Sequence, residues 1–177
     1  NKINARNVFV LPNNSNIILA AQQASELTQK GVVLIPTKTI PQGIAACMAY
    51  SKDSTVAENE AAMKETIADV ISGAVTYAVR DTTFEGTSVK KGDMIGLVNN
   101  HLAVSGKTVA DATSELVRKM IAERGDDACT VTLYFGEGQT EEDAQAIADK
   151  LQEEFENAEF MVLAGGQPLY YYYIAVQ

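Results

Sequence analysis

The sequence predicts an α/β protein in two parts, a small βαβαα lobe over residues 1–73 followed by a mixed-sheet α/β lobe over residues 74–177. The first third alternates short apolar runs with segments whose apolar residues keep helical spacing, which is typical of β-α-β units. After Gly73 the pattern changes to strands in which apolar and polar residues alternate, as in Val75 to Val79. Hydrophobic residues make up 46% of the 177 residues, enough for a core without disulfides or a metal.

The first lobe begins with a strand at Asn7 to Leu11. The next helix has apolar residues at helical spacing, which are Ile17, Ala20, Ala21, Ala24 and Leu27. Gly31 is expected to end it as a C-cap. The continuous apolar run Val32 to Ile35 predicts a strand buried on both faces and parallel to the first. A helix over about Ile40 to Tyr50 follows. The last helix is capped near Ser54 or Thr55, buries Met63, Ile67, Val70 and Ile71, and is expected to stop at Gly73.

The second lobe opens with the alternating strand that ends at Val79. A β-hairpin is predicted from Ile95 to Val104, because the pair Asn99-Asn100 tolerates the positive φ of tight turns. Thr108 is expected to cap a helix that ends near Gly125. The remaining elements are a strand at Cys129 to Phe135, a helix at Thr140 to Phe155, and strands at Phe160 to Leu163 and Tyr170 to Val176.

Charge and composition exclude several classes of function. With 23 acidic and 14 basic residues the net charge is -9, which repels nucleic acids and anionic membranes. No apolar run approaches the roughly 20 residues that span a bilayer, so we expect a soluble cytoplasmic protein without membrane insertion. Cys47 and Cys129 have no metal-ligand spacing. The chain begins at Asn1 without a methionine, so we expect a fragment of a longer protein.

The junction from Val32 to Gly43 is the first candidate binding site, because a strand there runs into polar residues that open a helix. Thr39 is the expected N-cap, and Gln42 stands in the capping-box position. Free backbone donors at such a turn suit an anion, with Thr37 and Lys38 beside them. The alternative is that the turn is structural, as most strand-to-helix turns bind nothing.

Two loops of the second lobe complete this set of ligand or inter-lobe candidates. Arg80, Asp81 and Thr82 follow a strand, and the guanidinium of Arg80 suits bidentate pairing with a carboxylate or phosphate. The alternative is a local Arg and Asp arrangement that fixes the turn. In the other loop, Gly165 and Gly166 allow close backbone approach before Gln167.

Two surfaces are candidates for contact with a partner protein. The predicted helix at Thr140 to Phe155 exposes an acidic face that includes Glu141, Glu142 and Glu153, although most such faces are simply solvated. Strand alternation places Tyr170 and Tyr172 on one face and Tyr171 and Tyr173 on the other, where they pack a core or meet a partner.

No catalytic residue and no metal site are predicted. The single histidine, His101, lies at a predicted hairpin tip away from any nucleophile. The glycines form neither a dinucleotide fingerprint nor a phosphate loop, so no nucleotide cofactor is expected in these residues.

Over its whole length the chain resembles the C-terminal region of the ATP-binding subunit of bacterial fatty acid kinases, the FakA or YloV type related to dihydroxyacetone kinase. The segments that carry the resemblance are Asn7-Val8-Phe9-Val10-Leu11-Pro12-Asn13-Asn14, Pro36-Thr37-Lys38-Thr39-Ile40-Pro41-Gln42-Gly43, Val75-Thr76-Tyr77-Ala78-Val79-Arg80-Asp81-Thr82-Thr83, Lys91-Gly92-Asp93 and Gly165-Gly166-Gln167-Pro168-Leu169-Tyr170. The resemblance implies a DegV-like fold. It also implies that Mg-ATP binds a kinase domain absent from this chain, and that a fatty-acid-carrying partner of the FakB or DegV type presents its acyl carboxylate there.

The same resemblance implies a limit on lipid binding. Lipid-binding DegV proteins hold the acyl carboxylate with a histidine-containing motif near the C-terminus. The matching stretch here, Gly165 to Tyr170, has no histidine. We therefore expect a non-catalytic module that docks the carrier and contacts its own kinase and middle domains. The alternatives are a DegV-like domain that binds a fatty acid or another anionic ligand, and a self-association module that forms a homodimer.

Overall fold

The computed structural model describes residues 3–84, 86–125 and 128–177. The chain divides into two compact units, Asn1–Val70 and Ile71–Gln177, which are called the first and second unit below. In the described ranges no helix is both long enough and apolar enough to cross a membrane.

The first unit is a parallel β-α-β arrangement followed by two helices. Its elements are β1 (Asn7–Val10), α1 (Ser15–Glu26), β2 (Gly31–Leu34), α2 (Ile40–Met48) and α3 (Val56–Asp69). β1 and β2 pair in parallel, with Asn7 opposite Gly31 and Val10 opposite Leu34, which confirms the predicted direction. The buried core of the unit consists of Ile35, Ala46, Met63 and Ile67.

Burial in the first unit is lower than the sequence predicts. None of the residues of α1 is buried, and Ile17 and Leu27 of its apolar stripe are 48% and 87% exposed. Residues 32–34 of β2 are only half-buried, so the prediction of a strand buried on both faces is wrong. The physical reason is that β1 and β2 form a sheet of two strands, which is too narrow to cover an apolar helix face.

Two predicted helix ends in the first unit are also wrong. Gly31 does not cap α1, which ends at Glu26 with Leu27 as its C-cap, and instead begins β2. A Cβ at Gly31 would meet the side-chain oxygen of Asn7, its partner in the β1–β2 ladder. α3 ends at Asp69 rather than at Gly73, because the β-branched residues that follow enter the next strand.

The second unit is built on a mixed sheet of six strands. Its strands are β3 (Ile71–Tyr77), β4 (Thr82–Phe84), β5 (Thr87–Val89), β6 (Met94–Val98), β7 (His101–Gly106), β8 (Cys129–Phe135), β9 (Ala158–Ala164) and β10 (Tyr172–Val176), and its helices are α4 (Val109–Arg124) and α5 (Glu141–Glu154). The order in the main sheet is β7-β6-β3-β10-β8-β9, and β8 and β9 are its parallel pair. The predicted mixed α/β architecture is confirmed.

Of the two hairpins of this unit, one was predicted from the sequence and the other was not. β6 and β7 join through Asn99 and Asn100, whose φ angles of 49° and 70° confirm the predicted turn. β4 and β5 form a separate hairpin that was not predicted, since three-residue strands leave too little alternation to detect.

Strand directions bring four strand ends to one edge of the main sheet. β3, β7, β8 and β9 run the same way, while β6 and β10 run against them. We call the edge where these four strands end the carboxyl edge. Because α4 follows β7 and α5 follows β8, both helices begin at the carboxyl edge.

The space between the sheet and the helices α4 and α5 is filled by side chains. Leu116 and Met120 from α4 and Leu133 and Tyr172 from the sheet are each 0% exposed. A Cβ at Gly73 would lie 2.6 Å from the sulfur of Met120, so this glycine leaves room for the methionine. The core is close-packed at these positions.

Candidate functional site

In the first unit, the loop after β1 is tied to the loop after β2. Thr37 is fully buried, and its hydroxyl accepts a hydrogen bond of 3.0 Å from the backbone N–H of Asn13. Asn13 has a φ of 56°, a conformation that asparagine tolerates better than most residues. Thr37 therefore holds two loops together and uses one acceptor position of its hydroxyl within the unit.

Thr39 and Gln42 organise the first turn of α2. Thr39 is the N-cap as predicted, and its hydroxyl accepts a bond of 3.3 Å from the N–H of Gln42. The side chain of Gln42 accepts from the N–H of Lys38 at 2.8 Å and donates to the carbonyl of Ile67 at 3.1 Å. Its amide thus links the start of α2 to α3, and these polar groups are engaged within the unit.

An open apolar groove of about 370 Å³ lies beside this turn. It is lined by Leu11, Asn13, Ile40, Gly43, Ile44, Cys47 and Met48. The side-chain oxygen of Asn13 is buried there without a hydrogen-bond partner among the described residues. Gly43 gives this side chain its space, since a Cβ on Gly43 would collide with the Asn13 amide.

Arg80, Asp81 and Thr82 lie at the base of the β4–β5 hairpin in the second unit. A carboxylate oxygen of Asp81 accepts a bond of 2.8 Å from the N–H of Lys91, and the ammonium of Lys90 lies 3.7 Å from the other oxygen. The turn is thus fixed by Asp81 with lysine residues, not by an Arg80–Asp81 pair as the structural alternative supposed. Arg80 is exposed, and Thr82 begins β4.

The loop Gly165 to Gln167 packs against the end of β8. The N–H groups of Gly165 and Gly166 donate to the carbonyl of Phe135 at 2.9 and 3.1 Å, and Gly166 has a φ of 64°. The amide of Gln167 donates to the carbonyl of Tyr134 at 2.9 Å. The stretch that the resemblance matches to the histidine-containing motif therefore carries a half-buried glutamine bonded to the sheet.

Both loops of the second unit lie at the carboxyl edge. The hydroxyl of Thr76, near the end of β3, donates to the carbonyl of Leu169 at 2.7 Å and so joins the two loop regions. The carboxyl ends of strands are where open α/β sheets bind their ligands. Thr37, Lys38, Thr39 and Gln42 belong to the other unit, so the ten predicted residues fall into two groups.

A cleft of about 490 Å³ opens at the carboxyl edge between the first turns of α4 and α5. Residues Asp111 and Ser114 from α4 and Asp143 and Ile147 from α5 are among those that line it. Thr108 and Thr140 cap the two helices through bonds of 3.1 Å from the N–H groups of Asp111 and Asp143. The cleft therefore combines two carboxylates with a serine hydroxyl and apolar walls.

The tyrosines near the C-terminus differ in exposure from the prediction. Tyr172 is 0% exposed, so its assignment to a partner surface is wrong. Tyr170 stacks on Tyr173 with ring centroids 4.9 Å apart, because β10 begins only at Tyr172 and strand alternation does not extend back to Tyr170. Burial raises the pKa of Tyr172 to about 12, and the carboxylate of Asp143 adds to the effect.

The acidic face of α5 is exposed as the sequence predicts, including Glu141, Glu142 and Glu153. Glu154, at the end of the helix, forms hydrogen bonds of 2.7 and 2.8 Å with the guanidinium of Arg118 on α4. These bonds lower the pKa of Glu154 and raise that of Arg118. The other carboxylates named here remain available to a partner.

Three polar residues of these sites were missed by the sequence analysis: Asn13, Asp111 and Ser114. The position of Ser114 was the available clue. It lies three and seven residues before the buried Val117 and Ile121 of α4, so a serine occupies the apolar stripe of the helix.

Comparison with known proteins identifies relatives along the whole chain. The family model for the C-terminal region of FakA-like fatty acid kinase subunits matches residues 1–177. Protein YloV of Bacillus subtilis is 40% identical over 175 residues, which cover 99% of this chain and 31% of that protein. An uncharacterized protein of Staphylococcus aureus strain USA300 is 36% identical over 172 residues, with coverages of 97% and 31%. The chain thus spans about a third of the length of the curated relatives it matches.

Solved structures of low sequence identity share the fold. The fatty acid kinase B3 protein of Streptococcus pneumoniae, loaded with linoleic acid, matches with a TM-score of 0.66 at 10% identity and covers 98% of this chain and 72% of that one. DegV of Bacillus subtilis, a fatty acid binding protein, matches with a TM-score of 0.58 at 15% identity, with coverages of 96% and 70%. The DegV-like fold expected from the sequence is confirmed.

Proposed function

The chain belongs to the FakA-like C-terminal family of fatty acid kinases, and from that premise we propose that it is a non-catalytic docking module. It binds a fatty-acid-carrying protein of the DegV or FakB class and positions the acyl carboxylate for phosphorylation. The Mg-ATP for that reaction binds a kinase domain elsewhere in the longer protein. The observation that carries the proposal is that a member of a kinase family has the fold of the fatty-acid-carrying proteins.

The length of the relatives supports a division of labour. The chain corresponds to 31% of protein YloV, so most of such a protein lies outside the residues described here. A kinase and a middle domain in that remaining part would supply the catalytic groups. In this arrangement the module contributes affinity and orientation, which accelerate a reaction between two bound groups without any catalytic side chain.

The packing of the second unit argues against an acyl chain between its main sheet and its helices. A carrier needs an apolar space for an acyl chain, whereas Leu116, Met120 and Tyr172 fill the layer between the sheet and the helices. At Gly96 a Cβ would lie 3.1 Å from Leu116, so the sheet surface beneath α4 is also occupied. Gln167, in the stretch that lacks the histidine of lipid-binding DegV proteins, bonds to the sheet.

Carrier binding by the 177-residue chain tests the proposal. The purified chain is mixed with a fatty-acid-loaded DegV-type carrier and the affinity is measured by titration calorimetry. A parallel sample is assayed for ATP hydrolysis, and native mass spectrometry detects any co-purified lipid. We expect a complex with the carrier, no ATP turnover and no lipid. ATP turnover by the chain alone, or bound fatty acid without carrier binding, would contradict the proposal.

Light scattering of the same sample separates docking from self-association. A stable homodimer that leaves carrier affinity unchanged would assign dimerisation as an additional property. A homodimer that does not bind the carrier would favour the self-association alternative.

A further inference from the structure

The cleft between α4 and α5 has the chemistry of a site for an organic cation. Asp111 and Asp143 place carboxylates on its two sides, at the first turns of their helices. One oxygen of Asp143 accepts bonds of 3.1 and 2.9 Å from the N–H and hydroxyl of Thr140. In the described ranges no group of three or more potential metal ligands is found.

Ser114 provides an independent indication that the cleft takes a ligand. The residue lines the cleft and is 5% exposed, yet its hydroxyl makes no hydrogen bond with any part of the chain that the structure describes. Its neighbour Thr113 shows the usual behaviour in a helix, donating to the carbonyl of Val109 at 2.7 Å. A ligand in the cleft can therefore bond to the Ser114 hydroxyl without displacing a hydrogen bond within the described residues.

We infer that this cleft binds an arginine or lysine side chain of the fatty-acid carrier, an inference that rests on the proposed docking function. The carboxylates of Asp111 and Asp143 pair with the cationic head, and the hydroxyl of Ser114 accepts one of its hydrogen bonds. Ile147 lies against the aliphatic stem of the bound side chain. The net charge of -9 favours approach of a basic surface over an acidic one.

Lys150 also lines the cleft and gives the inference a second test. Its ammonium forms no ion pair within 4.0 Å of a carboxylate in the described residues. It lies seven residues, or about 10 Å of helix, beyond Asp143. A cationic ligand is repelled by this residue, so Lys150→Gln is expected to raise carrier affinity.

The experiment compares carrier affinities of matched variants of the 177-residue chain. Asp111→Asn and Ser114→Ala alter the cleft, while Glu123→Gln removes the same charge as Asp111→Asn at the far end of α4. Each cleft variant is expected to bind the loaded carrier about tenfold more weakly, the effect of losing one charge-assisted hydrogen bond. Glu123→Gln is expected to bind like the unmodified chain.

Two further readouts separate a binding role from a structural one. Ser114→Ala removes a hydroxyl that has no partner among the described residues, so its melting temperature is expected to stay equal or rise while affinity falls. Asp111→Asn is expected to reduce the salt dependence of binding. Hydrogen exchange of the complex is expected to show protection in the first turns of α4 and α5.

The outcomes distinguish this inference from the function on which it rests. If the unmodified chain binds the carrier and both cleft variants bind equally well, or if protection appears only elsewhere, the cleft assignment is overturned and docking stands. If the unmodified chain does not bind the carrier, the proposed function fails and the inference fails with it.

Discussion

Replacing Tyr172 with phenylalanine is expected to leave the second unit equally or more stable. The ring is 0% exposed, and the hydroxyl has no hydrogen-bond partner among the described residues. A buried hydroxyl without a partner costs about 1–3 kcal/mol, which the substitution removes, while the missing oxygen forfeits a few packing contacts. The net expectation is a gain of about 1 kcal/mol in the free energy of unfolding at neutral pH.

The same substitution is expected to protect the chain at alkaline pH. The pKa of Tyr172 is about 12 in the folded chain, against an ordinary value of 10.0, chiefly because burial disfavours the phenolate. Above the ordinary value the unfolded state loses this proton while the folded state keeps it, so stability falls as pH rises. The fall is about 1.4 kcal/mol per pH unit between the two values, or about 2–3 kcal/mol in total. Burial also raises the pKa of Tyr173 to about 12, so part of the alkaline fall remains in the variant.

Urea unfolding followed by circular dichroism, at about pH 7 and about pH 11, measures both effects. Tyr77→Phe is the control, because Tyr77 is 36% exposed. The advantage of Tyr172→Phe over the unmodified chain should grow with pH, and the control should show no such growth. A loss of more than about 1 kcal/mol at neutral pH would mean that the hydroxyl makes a stabilising hydrogen bond, and the reasoning would be refuted.

Three further substitutions test packing and charge. Thr37→Val is expected to destabilise the first unit by about 1–3 kcal/mol in urea unfolding, because the N–H of Asn13 loses its buried acceptor; an unchanged midpoint would show that water replaces the bond. Gly73→Ala should cost about 1–3 kcal/mol, since its methyl group would press on Met120, and a stabilised variant in the same assay would contradict a filled core. Glu154→Gln should make the melting temperature depend less on pH below about pH 4.5. The pKa of Glu154 is lowered in the folded chain, so its carboxylate stabilises the fold above the ordinary pKa, and this stabilisation is lost as pH falls through the folded value. Parallel pH profiles for this variant and the unmodified chain would show that the ion pair does not form.

Helix starts could be predicted from the sequence because the physics that sets them is local. Thr39, Thr55, Thr108 and Thr140 each cap a helix through a hydrogen bond to an N–H three residues later. The Asn99-Asn100 turn is equally local, since it depends on the backbone preference of asparagine. For such features a short stretch of residues contains all the interacting groups.

Burial and site geometry could not be predicted, because they depend on residues distant in sequence. The apolar stripe of α1 is exposed since the sheet beside it has only two strands, a fact set by pairing rather than by the helix. The space around Gly31 depends on the side chain of Asn7 on the neighbouring strand. The burial of Tyr172 depends on where β10 begins. The cleft at Ser114 requires two helices to start at one sheet edge, which no local pattern encodes.

The filled layer behind Met120 also has a consequence for how the chain responds to its surroundings. A carrier that binds a fatty acid only when folded gains stability in proportion to the logarithm of ligand concentration, so its abundance follows the lipid supply. In the proposed docking module, whose second-unit core is occupied by its own leucine, methionine and tyrosine side chains, we expect no such thermodynamic link. The melting temperature of the chain is then expected to stay unchanged when free fatty acid is added.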